Sequence, residues 1–212
     1  MDLSLDQACL FAEQMSSAQE ELLQEIFAYT STHHAEPHMI SGPLQGLFLT
    51  MISKMIQPKR ILEIGTLSGY SAICLAKGLK EDGILHTIEI REEDAQVAQS
   101  FISKSAWSKQ IKVHAGNAHE IIDQLNEDWD LVFVDADKTG YESYYEKLIT
   151  LMRSGSWMLF DNVFFHGQAL EQDPKGKNAK AIAQFNKRIA QDERIEKLMI
   201  PLRDGLTLIR KK

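Results

Sequence analysis

The stretch RILEIGTLSGYSAICLAKGL, from Arg60 to Leu79, contains the change of pattern that decides the fold. Its first six residues, RILEIG (60–65), form a short run rich in Ile and Leu and stopped by Gly65, which reads as a buried strand. From Tyr70 to Leu79 the apolar residues recur at helical spacing. Between the two lies a Gly65-x-x-x-Gly69 turn, whose glycines let the backbone approach a ligand closely. The spacing is not the G-x-G-x-x-G of a pyrophosphate cradle, which speaks against a nicotinamide dehydrogenase.

Further along the chain the same alternation continues. GILHTIEI (83–90), QIKVHAG (110–116), DLVFVD (130–135) and SWMLFD (156–161) read as strands. EEDAQVAQSFISKSA (92–106), AHEIIDQL (118–125), YESYYEKLITLM (141–152) and AKAIAQFNKRIAQ (179–191) read as helices. Strand–helix alternation implies a mostly parallel sheet covered on both faces, a Rossmann-like three-layer α/β/α core. The closing KLMIPLRDGLTLIR places two apolar runs around RDG, a hairpin that makes the last strand antiparallel. Ahead of the first strand only helical patterns occur. SSAQEELLQEIFAYT carries a capping-box match, Ser17 with Glu20. GPLQGLFLTMISKMI puts Leu44, Leu47, Phe48, Met51, Ile52 and Met55 on one face, with Pro43 near its start. The expectation is a single domain over 1–212: N-terminal helices to residue 56, then a core of seven strands over 57–212.

The chain has 212 residues and a net charge of -7, which disfavours nucleic acid and anionic membranes as partners. No apolar run approaches the ~20 residues of a membrane span. The start, MDLSLDQACL, is acidic and lacks the apolar region of a secretory signal. Cys9 and Cys74 both fall in helical patterns and read as packing residues, which suits a reducing, cytoplasmic location.

In an open α/β sheet, ligands bind beyond the carboxyl ends of the strands. Glu89 ends a strand about twenty residues after the glycine turn, where an acid can accept the hydroxyls of a ribose. LVFVDADK (131–138) and MLFDNV (158–163) each carry an apolar strand straight into polar side chains: Asp135, then Asp161 and Asn162. Capping and a pairing of Asp135 with Lys138 are the structural alternatives to a ligand site.

ILEIGTLSGYSA, TIEI, GNAHEII, FVDADK, LFDNVFFHG and PLRDGLTLIRK occur in this order. From about residue 36 to the end the sequence resembles the caffeoyl-CoA and catechol O-methyltransferase family, which uses S-adenosylmethionine and a divalent metal. The resemblance implies a methyltransferase sheet of seven strands with the last reversed. It also implies that Glu63, Gly65, Thr66 and Ser71 line the amino-acid end of the cofactor, that Glu89 holds the ribose, and that Ala118 lies at the adenine. Ser41, Met39, Asp135 and Asp137 match further cofactor positions. Asp135, Asp161 and Asn162 are an all-oxygen set suited to Mg²⁺ first, with Mn²⁺ or Ca²⁺ also compatible. The resemblance makes Lys138 the group that takes or stabilises the departing proton beside Asp135, and a cation nearby would lower its pKa. Met39, Lys138 and His166 would face the acceptor, a phenolic small molecule. One of Phe164 and Phe165 belongs to the core, and His33 and His34 read as polar residues of a helix end. A homodimer is expected, with the N-terminal helices needing a cover for Leu22, Leu23, Ile26 and Phe27.

Two other readings use the same scaffold. A tRNA hydroxyuridine methyltransferase is favoured by Lys175, Lys177, Lys180, Lys187 and Arg188 and opposed by the net charge. A non-catalytic cofactor-binding protein is opposed by the intact Asp135, Lys138, Asp161 and Asn162. Base amino-methyltransferases carry an Asn/Asp-Pro-Pro-aromatic segment where this chain has DADK.

Overall fold

The computed structural model describes residues 5–212, so the first four residues of the expected N-terminal segment lie outside the described residues. The chain divides into two compact units, one ending at Leu125 and the other running Asn126–Lys212. The N-terminal helices end at Ile56 and belong to the first unit.

The first unit opens with helices α1 (Leu5–Gln14), α2 (Glu21–His33) and α3 (Pro43–Ile56). Then β1 (Arg60–Ile64), α4 (Tyr70–Ala76), β2 (Ile84–Glu89), α5 (Glu92–Ile102), β3 (Ile111–Ala115) and α6 (Ala118–Leu125) alternate. β1 pairs parallel with β2 from Arg60↔Ile84 to Ile64↔Ile88, and β2 with β3 from Leu85↔Ile111 to Glu89↔Ala115. In-register parallel strands bring their carboxyl ends to one edge, so the glycine turn after β1 and Glu89 at the end of β2 share that edge.

α2 begins at Glu21 with Glu20 as its N-cap, and the expected capping box does not form. The Glu20 carboxylate is instead 2.9 Å from Lys77 Nζ, while Ser17 is exposed. An ion pair to another element has outcompeted the local cap.

α3 buries a different face from its apolar one. Gln45, Gly46, Leu49, Thr50 and Ser53 are buried, whereas Met51 is 54% and Met55 78% exposed and Leu44, Leu47, Phe48 and Ile52 are half-buried. The cause is the close approach of the chain around α4. Thr50 Oγ1 donates to Cys74 O (3.1 Å) and Ser53 Oγ to Leu75 O (2.5 Å). A Cβ on Gly78 would lie 2.1 Å from the backbone of Ser53. At that distance the backbone contact takes Ser53 and Thr50, Leu49 is buried with them, and Met51 and Met55 are left exposed. Burial also pushes the Cys74 thiol up to about 12, which makes it inert. Cys9 and Cys74 are both free.

The second unit contains β4 (Leu131–Val134), α7 (Tyr141–Leu151), β5 (Trp157–Asp161), α8 (Lys177–Gln191), β6 (Ile195–Ile200) and β7 (Leu206–Lys211). β4 and β5 are parallel, while β7 runs antiparallel to both β5 and β6. α8 starts at Lys177, two residues before the expected Ala179. Its core is aromatic: Tyr141, Tyr145, Phe160 and Phe185 are fully buried, and the Phe160 and Phe185 rings lie 4.7 Å apart. Asp192 closes this core. It accepts from Tyr145 Oη at 2.9 Å and from Arg194 Nε at 3.0 Å, and Arg188 Nη1 lies 3.0 Å away. The seven strands follow the order β3-β2-β1-β4-β5-β7-β6. Among the described residues no helix is long and apolar enough to cross a membrane.

Candidate active site

In the first unit the turn after β1 is closed by Gly69 N donating to Thr66 O at 2.9 Å. Gly69 has φ +85, and a Cβ there would lie 3.2 Å from Ile102, so both backbone and space call for glycine. Gly65 (φ 99) and Leu67 (φ 50) are also left-handed, which is a strained state for leucine. Glu89, only 5% exposed, holds this backbone. Its Oε2 accepts from Thr66 N (3.2 Å) and Leu67 N (2.9 Å), and its Oε1 from Arg91 N (3.1 Å).

A second buried chain lies behind the turn. Thr87 Oγ1 donates to Glu63 Oε2 (2.5 Å). That spends its one hydrogen, so Thr66 Oγ1, also 2.5 Å from Thr87 Oγ1, is the donor of the second bond. Glu63 and Thr66 are therefore coupled through Thr87. Ser41 and Ser71 are 6% and 7% exposed, and Ala118 begins α6 at 7%. Met39 is 44% exposed. These residues fit an adenosyl cofactor: a carboxylate fixed by backbone N–H groups, and a turn whose glycines leave the approach clear.

In the second unit Lys138 Nζ donates to Asp135 Oδ1 (2.9 Å), Asn162 Oδ1 (2.9 Å) and Tyr141 Oη (2.7 Å). Asp135 follows β4, Asp161 ends β5, and Asn162 turns the chain with φ 53, a conformation asparagine adopts more readily than most residues. Asp161 is 2% exposed and its Oδ1 accepts from Asn162 N at 2.8 Å. Tyr141 is fully buried and donates to Asp161 O at 2.7 Å. Both structural alternatives thus occur here: Asp135 pairs with Lys138, and Asp161 caps the turn after β5.

The same geometry bears on the metal. Asp135 Oδ1 and Asn162 Oδ1, from different strand ends, converge on one positively charged nitrogen, so these two oxygens can face a cation. Among the described residues no three His, Cys, Asp or Glu side chains form a metal-binding group, so the set consists of two carboxylates and an amide. That composition suits a hard ion with water completing its shell.

The electrostatics of Lys138 run opposite to expectation. Burial disfavours its charge, but Asp135 and Tyr141 outweigh burial and hold its pKa above the usual lysine range. Tyr141 is likewise raised, chiefly by burial.

The remaining expected residues have partners of their own. The Asp137 carboxylate accepts from Tyr144 Oη (2.9 Å) and Thr139 Oγ1 (3.4 Å). The His166 side chain is 67% exposed and its ring stands 3.7 Å from Asp204, while His166 N donates to Asp204 Oδ1 at 2.7 Å. Phe164 packs on Gly205, where a Cβ would sit 2.7 Å from its ring, so it is the structural one of the pair. His33 ends α2 stacked on Tyr29 at 4.6 Å, and His34 caps it through its N–H to Thr30 O. Sequence reasoning missed Thr87 and Tyr141. In a strand and a helix they read as ordinary β-branched and aromatic packing residues. The sequence signal for Tyr141 is its i+3 spacing from Lys138; Thr87 has none, because the register that sets it opposite Glu63 exists only in the folded sheet.

The family model described as O-methyltransferase matches residues 13–212. A tapetum-specific methyltransferase of Arabidopsis thaliana is 34% identical over 203 residues, covering 91% of this chain and 87% of the relative. A catechol O-methyltransferase of Niastella koreensis is 32% identical over 170 residues, covering 78% and 77%. An O-methyltransferase of Streptomyces achromogenes involved in tomaymycin synthesis, solved with SAM, superposes with a TM-score of 0.89 at 28% identity, covering 97% of this chain and 96% of that one. With β7 reversed in a seven-stranded sheet and the match running through nearly every described residue, the chain belongs to the O-methyltransferase family.

Proposed function

We propose that the chain is a metal-dependent O-methyltransferase that moves the methyl group of S-adenosylmethionine to a hydroxyl of a catechol-like or phenolic small molecule. The observation that carries the reading is the convergence of Asp135 and Asn162 oxygens on one cationic nitrogen at the strand ends. Relatives named caffeoyl-CoA and catechol O-methyltransferase support the acceptor class, and neighbours solved with SAM or SAH support the cofactor.

In this reading the cofactor is held by Glu63, Gly65, Thr66, Ser71 and Glu89, with Met39, Ser41, Ala118, Asp135 and Asp137 completing the set. Asp135, Asp161 and Asn162 hold the cation, Mg²⁺ first. The cofactor supplies an electrophilic sulfonium methyl, and the cation supplies charge that favours an ionised acceptor oxygen. The difficulty in the reaction is the acceptor. A phenol of pKa ~10 ionises at neutral pH at a cost of roughly 4 kcal/mol. Lys138 contributes to meeting that cost. Its side-chain nitrogen, placed between Asp135, Asn162 and Tyr141, takes or stabilises the departing proton. Tyr141, anchored on Asp161 O, fixes where that nitrogen sits. Met39 and His166 face the acceptor.

The chain works as a single catalytic domain in the cytoplasm and as a homodimer; Leu23 and Ile26 of α2 are already buried within the chain, so the exposed Met51 and Met55 of α3 are the surface that calls for a cover. Leu10, Phe11 and Met15 of the α1 region, 61–67% exposed, add to that surface. The tRNA reading weakens, because Arg188 is committed to Glu146 at 2.6 Å and to Asp192.

The test is methyl transfer from labelled S-adenosylmethionine across catechols, flavonoids, hydroxycinnamoyl thioesters and hydroxyuridine-containing tRNA. Transfer to vicinal diphenols that stops with chelator and returns with Mg²⁺ supports the reading. Activity that survives exhaustive chelation removes the metal from it.

A further inference from the structure

We propose that Lys138 is an internal cation that competes with the divalent metal for Asp135 and Asn162, so that metal uptake requires its ammonium to be displaced. The inference rests on the metal reading above and adds a regulatory property to that site.

A lysine ammonium has three hydrogens, and here each has an acceptor: Asp135 Oδ1, Asn162 Oδ1 and Tyr141 Oη. The side chain is 13% exposed, so little water competes for them. The Tyr141 ring lies 4.9 Å from Nζ and adds a cation–π contact. The ammonium is thus a fully coordinated cation, and two of its three ligands are oxygens the metal needs.

Each of those oxygens is 2.9 Å from Nζ, so they stand no farther apart than twice that distance. A Mg²⁺ ion takes oxygens at about 2.0–2.1 Å, so it would draw both inward over the place where the ammonium hydrogens now point. Two positive charges cannot share that position. Like charges a few ångströms apart in a poorly solvated site repel strongly.

Displacement has a ready hinge. Tyr141 Oη donates to Asp161 O at 2.7 Å, so this hydroxyl stays in place and can still accept from Lys138. The displaced ammonium gives up two oxygen partners and needs an anion in exchange, which an ionised acceptor oxygen provides. Metal and acceptor therefore bind with positive coupling, and Lys138 is the element both of them bias.

The test is calorimetric titration of Mn²⁺ into the full-length wild type, Lys138→Met, Lys138→Arg and Asp161→Asn, with no turnover involved. Lys138→Met removes the charge and is expected to bind Mn²⁺ on the order of tenfold more tightly, the scale of losing one partly exposed ion pair. Lys138→Arg keeps the charge and should bind no more tightly than wild type. Asp161→Asn should weaken binding, which locates the ion. If Lys138→Met does not fold, Lys138→Gln offers the same loss of charge with a donor retained. Equal or weaker Mn²⁺ affinity in the folded uncharged variant overturns the competition while leaving the metal site standing. Absence of Mn²⁺ binding in every protein overturns the metal reading itself, and the competition with it.

Discussion

Replacing Glu89 tests the cofactor site and the turn that builds it at once. The carboxylate accepts three backbone N–H groups, from Thr66, Leu67 and Arg91, at 3.2, 2.9 and 3.1 Å. Bonds to a charged acceptor are worth roughly 1.5–3 kcal/mol each. In Glu89→Ala, water entering the space left by the side chain restores part of this, so ~1 kcal/mol is lost per N–H and ~3 kcal/mol in all. For a chain of this length each kcal/mol moves Tm by roughly 2–4 °C, so scanning calorimetry should show a fall of ~6–12 °C. Glu89→Gln gives an internal standard. Thr66 and Leu67 both point at Oε2 and Arg91 at Oε1, so a glutamine oxygen placed at Oε2 keeps two bonds and sets its NH₂ against Arg91 N–H. Its loss should be about a third of that of alanine, a fall of roughly 2–4 °C. Titration calorimetry should find S-adenosylmethionine bound at least about tenfold more weakly by Glu89→Ala, because a ribose hydroxyl loses a charged acceptor. An alanine variant melting within about 2 °C of wild type would refute the role in the turn. A folded alanine variant with unchanged affinity would refute the ribose assignment.

Asp135→Ala and Asp161→Ala should each abolish methyl transfer while keeping S-adenosylmethionine affinity within about tenfold, with Asp135 the more affected because the proposed cofactor set includes it; transfer surviving in Asp161→Ala counts against the proposed metal site. Asp192 is held well below the usual carboxylate range, first by its hydrogen bonds from Arg194 and then, against burial, by Tyr145. A depressed folded pKa contributes stability that is complete above the unfolded value of ~4 and is lost as pH falls toward the folded one. The Tm deficit of Asp192→Asn should accordingly be widest near neutral pH and shrink below about pH 4; a constant deficit down to about pH 3 contradicts the account. Met51→Asp together with Met55→Asp should convert a dimer to a monomer in sedimentation velocity, since both side chains are more than half exposed on α3; a wild type that is monomeric at every concentration refutes the dimer.

What could be read from the sequence was what local patterning controls. The period of the apolar residues placed β1, β2, β4 and β5 to within a residue or two, and α6 at Ala118–Leu125, because a strand buried on both faces and an amphipathic helix leave different repeats. The reversed last strand was legible because two apolar runs around Arg203-Asp204-Gly205 leave room only for a hairpin. The placing of Glu89, Asp135, Asp161 and Asn162 at strand ends follows from the same pattern, since a parallel sheet puts polar residues where its strands stop.

Tertiary structure decided the rest, wherever a second element set the outcome. The buried face of α3 could not be found from its own composition, because it depends on how closely Gly78 lets the chain approach Ser53. The capping box at Ser17 failed because Lys77, distant in sequence, offered Glu20 a charge. Thr87 became a connector only once register set it beside Glu63 and the turn returned Thr66 to it. The charge on Lys138 was the least legible feature. Its neighbours Asp135, Tyr141 and Asn162 lie after β4, in α7 and after β5, and a pKa is set by the sum of charges and burial around a group. Spacing along the chain carries no information about that sum, so it takes the folded chain to show a lysine already bound as a cation.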